Sequence, residues 1–155
     1  MFDLDKLSNF KIFQGFSADD LNKLLSIATK ITFNRRDLLL EEAKPSDGFY
    51  IIIEGRARVD ISQFLYGNGI DDDRLELAIL RPGDIFGEIS FLTGSLTSAR
   101  VWAIDNGTAL NIQTYSLKKI IEENYRIGYI LMKNIATILA NRIVDINFKM
   151  RSNIC

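Results

Sequence analysis

The segment of this sequence with the clearest chemistry is a short turn between two glycines, at residues 87–94. Gly87 permits close approach of the backbone and opens a predicted short helix, so the amides of Ile89 and Ser90 can donate to an anion. Glu88 in the same turn would repel a phosphate, and its carboxylate is better suited to accept hydrogen bonds from hydroxyl groups. A phosphate flanked by a sugar hydroxyl satisfies both demands.

The composition excludes most kinds of catalysis. The 155 residues include no histidine and a single cysteine, Cys155. Without histidine there is no imidazole base and no His-ligated zinc, copper or iron, and one cysteine forms neither an intrachain disulfide nor a thiolate cluster. The sequence therefore predicts a protein that is not an enzyme, with no metal site and no resident cofactor.

Charge and hydropathy indicate the compartment of the protein and the kinds of partner it can have. The 19 basic and 20 acidic residues give a net charge of -1, so no general attraction to nucleic acid or to an anionic membrane is expected. The start of the chain is acidic, unlike a secretory signal, and the apolar runs are shorter than the roughly 20 residues that span a bilayer. We expect a cytoplasmic domain without a nucleic-acid or membrane partner, and no helix-turn-helix after the last predicted helix.

Two kinds of periodicity divide the first two thirds of the chain. Ser17 is suited to cap a helix, because leucines follow it at helical spacing. From Ile31 onward, short β-branched and aromatic stretches alternate with turn residues, which is typical of antiparallel strands. The predicted strands are residues 31–33, 37–40, 48–53, 56–62, 74–80, 99–104 and 108–113.

Two details of the strand region bear on the site. Polar and apolar residues alternate over residues 56–61, which predicts that the charged side chains face water and that the interior receives Ala57, Val59 and Ile61. The three aspartates at 71–73 fall in a predicted hairpin loop that also contains the 67–69 turn. A solvated turn is favoured there over a metal site.

Helical patterning returns after the last predicted strand. Ser116 is predicted to cap a helix that runs through Glu123, and residues 125–150 form a long segment without proline. Its apolar residues follow helical spacing but cover more than one narrow stripe. Either one stripe packs on the strands while a second meets a partner, or the whole helix is buried more deeply in its own domain. The sequence favours neither.

In its order of segments the chain resembles the cyclic nucleotide-binding domain of kinase regulatory subunits, ion channels and catabolite-activator-type bacterial regulators. Residues 4–25 are similar to the leading helices of that family. Residues 49–55, Phe-Tyr-Ile-Ile-Ile-Glu-Gly, resemble its "LYIILEG" strand and turn, and residues 81–88 resemble its approach to a Phe-Gly-Glu motif. Each match is weak by itself, but all of them occur in the right order over essentially the whole chain.

The resemblance implies a mainly β fold with flanking α-helices: an antiparallel β-roll, jelly-roll-like, with N-terminal helices and two C-terminal helices. The whole chain, 1–155, is then one domain. Its parts are N-terminal helices at 1–30, a β-roll at 31–114 with a phosphate-binding cassette at 86–100, and a hinge and long helices at 115–155.

The resemblance also implies roles for individual residues. In the cassette, the amides of Gly87, Ile89 and Ser90 would face the phosphate of cAMP or cGMP, and Glu88 would bind the ribose 2′-hydroxyl. Ile89 would relay the binding event to the helices. On the other side of the phosphate, the family resemblance implies contacts from Thr97, Ser98 and Ala99.

One of these positions departs from the family pattern. Bacterial members often read Pro-Arg-Ser-Ala-Thr-Val where this chain reads Leu-Thr-Ser-Ala-Arg-Val, so Thr97 replaces the arginine that pairs with the phosphate. Because side chains alternate along a strand, Arg100 is expected to face away from Thr97, whose face is shared by Val101. A charge-assisted hydrogen bond contributes roughly 1.5–3 kcal/mol, so nucleotide binding is expected to be weaker by roughly tenfold to more than a hundredfold.

Three functions remain to be compared. The first is a sensory domain that binds a cyclic nucleotide or related ligand and signals through its C-terminal helices. The second is a degenerate domain that binds no nucleotide and serves in protein association or homodimerisation through residues 125–150. The third, a metal-binding enzyme of the cupin type, has a similar strand pattern but is disfavoured because such sites use histidines.

Overall fold

A computed structural model describes residues 2–62 and 74–153 of the chain. In these residues, eight strands form two four-stranded antiparallel sheets, with the orders β1-β8-β3-β6 and β2-β7-β4-β5. This arrangement, flanked by helices at both ends, confirms the predicted mainly β roll. The strands are β1 (Ala28–Phe33), β2 (Leu38–Leu40), β3 (Gly48–Glu54), β4 (Ala57–Ser62), β5 (Arg74–Leu80), β6 (Ile85–Phe86), β7 (Arg100–Ala103) and β8 (Gly107–Gln113).

The helices lie before, within and after the roll. A short 3-10 helix, Lys11–Phe13, separates the first two α-helices, and the remaining helices follow β6 and β8. Ser17 caps the second helix as predicted, since its hydroxyl accepts a hydrogen bond from the Asp20 amide at 3.2 Å. The α-helices are α1 (Leu4–Ser8), α2 (Ala18–Ser26), α3 (Glu88–Thr93), α4 (Thr114–Glu123) and α5 (Tyr125–Ser152).

Several expected boundaries and faces need correction. β1 begins at Ala28 rather than Ile31, so the N-terminal helical part ends at Ser26 instead of reaching residue 30. Ser116 does not cap α4, which begins at Thr114 after Gln113. The predicted strand 99–104 is shorter at both ends, as β7. The 67–69 turn and the aspartates at 71–73 lie outside the described residues.

Asp60 lies on the outer face of the sheet, as the alternation predicts, but it does not face water. The side chains of Arg74, Arg100 and Trp102 cover it, and it is 3% exposed. The register shift in the pairing of β4 with β5 places an extra residue in β5, whereas β4 pairs with β7 without a shift. Ala57 is fully buried as expected, whereas Val59 and Ile61 are half-buried.

Two hydrophobic clusters hold the fold together. The larger one joins the N-terminal helices and α5 to the sheet that contains β3 and β8; the smaller one lies inside the roll around Phe33, Ile52 and Phe86. Helix α5 contributes Ile127, Leu131 and Ile135 to the larger cluster, each at most 2% exposed. The first half of α5 is therefore fixed on the domain by apolar packing.

The second half of α5 leaves the core. One stripe of the helix packs inward, whereas other large apolar side chains on it are exposed, so the alternative of a wholly buried helix is wrong. A partner for the exposed stripe stays a prediction. By length and composition α5 is also long and apolar enough to cross a membrane, with 28% of its most apolar window buried in this fold. The large apolar side chains exposed on α5 are Tyr125, Tyr129, Ile143, Val144, Ile146, Phe148 and Met150.

Candidate ligand-binding site

The predicted site residues surround a cavity of about 440 Å³ between the inner face of the roll and α5. This volume lies in the range of roughly 300–1,000 Å³ that is usual for small-molecule sites. Most of the wall is apolar, with Val59, Leu80 and Val101 on the side of the roll. All seven residues predicted from the sequence line the cavity: Gly87, Glu88, Ile89, Ser90, Thr97, Ser98 and Ala99.

The cassette turn is built by Gly87. This residue has a φ of +78° and caps α3, whose first turn closes with a hydrogen bond from the Phe91 amide to the Gly87 carbonyl at 3.2 Å. A Cβ at Gly87 would lie 2.5 Å from the carbonyl oxygen of Gly48 in β3. Glycine is therefore required both by the left-handed backbone and by the close passage of β3.

Substitution of Gly87 tests this geometry. Gly87→Ala is expected to lower the free energy of unfolding by about 2 kcal/mol, because left-handed strain adds to the contact with Gly48. Gly94→Ala is the matched control: Gly94 has a φ of +70°, but a Cβ added there would meet no atom within 4 Å, so strain alone acts. We expect the control to lose about 1 kcal/mol of unfolding free energy, and urea denaturation measures both losses. Equal losses for the two variants would contradict the close approach of β3.

Glu88 is buried and bound to a residue from α5. Its side chain is 6% exposed, and its Oε1 accepts a hydrogen bond from Nη1 of Arg142 at 2.5 Å. Nη2 of Arg142 donates to the Ile85 carbonyl, also at 2.5 Å. Burial raises the pKa of the Glu88 carboxyl, and the opposing effect of Arg142 only partly offsets it. The first residue of the cassette helix is thus tied directly to α5.

The sequence reasoning did not find Arg142. The signal was present: Arg142 lies three residues after Leu139 and four before Ile146, on the apolar stripe of α5 that turns toward the roll. A charged residue on a buried stripe requires a partner. The partner, Glu88, is 54 residues away in the sequence, so its identity depends on the tertiary fold.

Thr97 lies at the cavity wall with its hydroxyl already engaged. Its side chain accepts a hydrogen bond from the Lys44 amide at 3.0 Å and donates one to the Glu41 carbonyl. Backbone hydrogen bonds from Thr97 to Lys44 and from Ala43 to Thr97, each 2.9 Å, complete the connection. Thr97 therefore fastens the segment after β2 to the cassette, and it is 5% exposed.

Arg100 faces away from the cavity, as the alternation of β7 predicts. Val101 lines the cavity on the same side as Thr97, whereas Arg100 binds the buried carboxylate of Asp60 through two hydrogen bonds of 2.9 and 2.8 Å. Such a bidentate pair fixes the guanidinium in one geometry. Arg100 is thus held on the outer face of the sheet and does not replace the arginine expected at position 97.

Asp60 is the centre of a wider polar cluster on that face. Besides Arg100, it accepts hydrogen bonds from Nε of Arg74 at 2.5 Å and from Nε1 of Trp102 at 2.8 Å. Burial by itself would raise the pKa of the Asp60 carboxyl, but the hydrogen bonds from Arg100, Arg74 and Trp102 outweigh it and lower the pKa to about 2. Asp60 is therefore charged in the folded protein at neutral pH.

The charges that line the cavity come from two sources. Among the described residues, the basic ones are Arg142 and Lys149, both on α5, and the acidic ones are Glu88 on α3 and Asp145 on α5. Lys149 donates to the Leu77 carbonyl of β5 at 3.2 Å, near the C-terminal end of α5. The cassette strand itself brings no basic side chain to the cavity.

A β-roll with a glycine-opened cassette turn beside a cavity, and a long helix across it, is the arrangement that the resemblance implies. The sequence agrees, since the family model of the cyclic nucleotide-binding domain matches residues 30–124. The chain belongs to the cyclic nucleotide-binding domain family, and the resemblance seen in the sequence is confirmed. It is a regulatory domain of that family.

Curated relatives and solved structures agree with this family. Glutaminase 1 of Bradyrhizobium diazoefficiens is 28% identical over 145 residues, which are 94% of this chain and 22% of that protein. A CRP-like cAMP-activated global transcriptional regulator of Mycobacterium tuberculosis is 26% identical over 92% of this chain and 62% of that protein. The crystal structure of a cyclic nucleotide-binding domain from Methylobacillus flagellatus superposes with a TM-score of 0.81 at 20% identity, covering 97% of this chain and 81% of that one.

The lengths of the relatives limit what they indicate. The chain spans about a fifth of the glutaminase and less than two thirds of the transcriptional regulator.

Proposed function

We propose that this chain is a non-catalytic sensory domain that binds a cyclic nucleotide or a related small molecule and signals through its C-terminal helices. The observation that carries the proposal is the Glu88–Arg142 ion pair, which joins the cassette to α5 across the cavity. A ligand that contacts Glu88 changes the surroundings of Arg142 as well. Coupling of this kind requires contacts that differ between the free and bound states, and we propose this pair as such a contact.

Ile89 is the proposed relay in this mechanism. It follows Glu88 in α3, lines the cavity and is 39% exposed, although it is a large apolar residue. Exposure of this kind leaves it free to pack differently against α5 when the cassette moves.

Amide hydrogen exchange measured with and without 5 mM cAMP tests the mechanism. Slower exchange in α3 together with altered exchange in α5 supports it. Unchanged exchange of the α5 amides in a protein that binds cAMP contradicts it.

We further propose that cAMP and cGMP bind weakly. The Thr97 hydroxyl is hydrogen-bonded to the segment after β2, and Arg100 is bound to Asp60 on the opposite face of the sheet. A phosphate in the cassette therefore meets no cation from the cassette strand. Sub-micromolar binding of either nucleotide by the unmodified protein would show that the arginine is not needed in this chain.

The alternative is a degenerate domain that binds no nucleotide. The engaged hydroxyl of Thr97 and the paired carboxylate of Glu88 favour it, because these two polar groups of the cavity already have partners in the protein. A thermal-shift screen separates the two functions. A small molecule that raises the melting temperature through the cavity supports the sensor, whereas its absence together with a defined protein partner supports the association module.

The exposed half of α5 supports a proposal of self-association through residues 125–150. Val144, Phe148 and Met150 are each at least 60% exposed, and large apolar side chains in such a group are typical of helix pairing. We expect sedimentation velocity to show a concentration-dependent monomer–dimer equilibrium. Phe148→Glu is expected to shift the equilibrium to monomer and to melt at the same temperature as the wild type at concentrations where the wild type is monomeric. A protein that is monomeric at all concentrations would exclude the dimer.

We place this domain in the cytoplasm and assign it no membrane or nucleic-acid partner of its own. The balanced charge supports this, as does the inward packing of Ile127, Leu131 and Ile135 on α5. The activity of any longer protein that contains the domain is a separate question.

A further inference from the structure

The cavity has an unusual distribution of charge. In the part of the chain that the structure describes, its basic side chains, Arg142 and Lys149, both come from α5. The residue at the expected arginine position, Thr97, is neutral and engaged with the backbone at 41–44. An anion that enters the cavity therefore finds its positive charge on the helix instead of the cassette strand.

Arg142 is better placed than Lys149 to meet an anion. Arg142 contacts Glu88, the first residue of α3, and the Ile85 carbonyl, so it lies beside the cassette turn. Lys149 instead contacts β5 at the Leu77 carbonyl, two helical turns farther along α5. The Arg142 side chain is 29% exposed, so its charge is only partly screened by water.

The guanidinium of Arg142 also has N–H donors that its bonds to Glu88 and Ile85 do not use. It carries five N–H groups in a planar fork, of which the bonds to Glu88 and Ile85 use two. A carboxylate has about four acceptor positions, so Glu88 can keep Arg142 and still accept from a ligand hydroxyl. One planar group can thus hold Glu88 and an anionic oxygen at the same time.

We propose that Arg142 is the anion-binding residue of this site and supplies from α5 the positive charge that Thr97 lacks. This inference rests on the proposed function, since it assigns the anionic group of the ligand to Arg142. Because Arg142 is partly neutralised by Glu88, it gives a modest preference for the anion and leaves binding weaker than with an arginine at position 97. The ligand's charge is then sensed directly by the signalling helix.

Two roles of Arg142, competing with the ligand for Glu88 or binding the anion, predict opposite changes in ligand affinity when Arg142 is removed. If Arg142 only competes with the ligand for Glu88, its removal frees the carboxylate and strengthens the binding of any ribose-containing ligand. If Arg142 binds the anion, its removal weakens the binding of a charged ligand and leaves a neutral one unchanged. Charged and neutral forms of one nucleoside therefore distinguish the two roles.

The test is a titration of cAMP and of adenosine, each to 10 mM, followed by ¹H–¹⁵N NMR. The proteins are the wild type, Arg142→Gln, Arg142→Lys and Lys133→Gln. Lys133 is the matched control because it is an exposed cation on the same helix that does not line the cavity. The same four titrations are repeated in a Thr97→Arg background, so that a weak wild type does not prevent the comparison.

We expect Arg142→Gln to lower cAMP affinity about tenfold, with adenosine affinity unchanged. Arg142→Lys should keep part of the preference for cAMP, and Lys133→Gln should keep all of it. Unchanged or stronger cAMP binding by Arg142→Gln would overturn the role of Arg142 while leaving a nucleotide-binding site in place. Failure of both ligands to bind in both backgrounds would instead overturn the proposed function, and this inference with it. Unchanged adenosine binding shows that the variant is folded.

Discussion

Thr97→Arg is expected to bind cAMP roughly tenfold to more than a hundredfold more tightly than the unmodified protein. The wall of the cavity at position 97 adjoins the cassette turn, and an arginine there adds a charge-assisted hydrogen bond to an anion in a partly buried site. The substitution also removes the hydroxyl that binds the Lys44 amide and the Glu41 carbonyl. We therefore expect tighter binding from a less stable protein, with a loss of about 1 kcal/mol in unfolding free energy.

Isothermal titration calorimetry with cAMP and cGMP measures this gain. Thr97→Gln is the matched control, because glutamine is long and polar but uncharged, and it loses the same threonine hydroxyl. We expect no gain for Thr97→Gln. Equal affinities for the arginine and glutamine variants would show that charge at position 97 does not limit binding in this chain.

Asp60→Asn is expected to lower the free energy of unfolding by about 3 kcal/mol. Asp60 is 3% exposed, and its carboxylate holds Arg74, Arg100 and Trp102 together on the outer face of the second sheet. An amide of the same shape keeps some hydrogen bonds but leaves the Arg100 guanidinium without this counterion, while Arg74 keeps Glu42 as its acidic partner.

The dependence of stability on pH gives an independent measure. The Asp60 carboxyl has a pKa of about 2 in the folded protein against 3.8 for the ordinary group, so it contributes stability above pH 4. That contribution, about 2 kcal/mol, is lost as the pH falls from about 4 to about 2. Asp60→Asn should lack this loss, whereas Asp105→Asn, which breaks the exposed pair with Arg56, should keep it. Parallel curves for the wild type and Asp60→Asn between pH 2 and 4 would contradict the assignment.

The positions of the main elements were predictable because their signals are local. The Ser17 cap, the turn glycines and the alternating stretches are each recorded within a few neighbouring residues, and the strands appear where the sequence places them to within a few residues. The cassette was equally predictable. Gly87 and Glu88 follow each other in one turn, so a continuous segment of chain carries most of the cavity wall on the roll side.

Other features depend on residues far apart in the sequence. The burial of Asp60 follows from the side chains that cover it, Arg74 of β5 and Arg100 and Trp102 of β7. The cap expected at Ser116 was wrong because β8 ends at Gln113 and α4 starts directly after it. Neither outcome is recorded in the local pattern, since strand pairing fixes which side chains meet and where a strand stops.

By itself, the sequence determined the class of this protein: a histidine-free β-roll of the cyclic nucleotide-binding family whose cassette keeps Glu88 and lacks the usual arginine at position 97. The alternation along the strand also predicted that Arg100 faces away from Thr97. Only the tertiary structure decided which partner each charge has, because it places Arg100 on Asp60 and brings Arg142 from α5 to Glu88. The reason is physical: a buried charge must find a partner, and which partner is within reach depends on how distant segments pack.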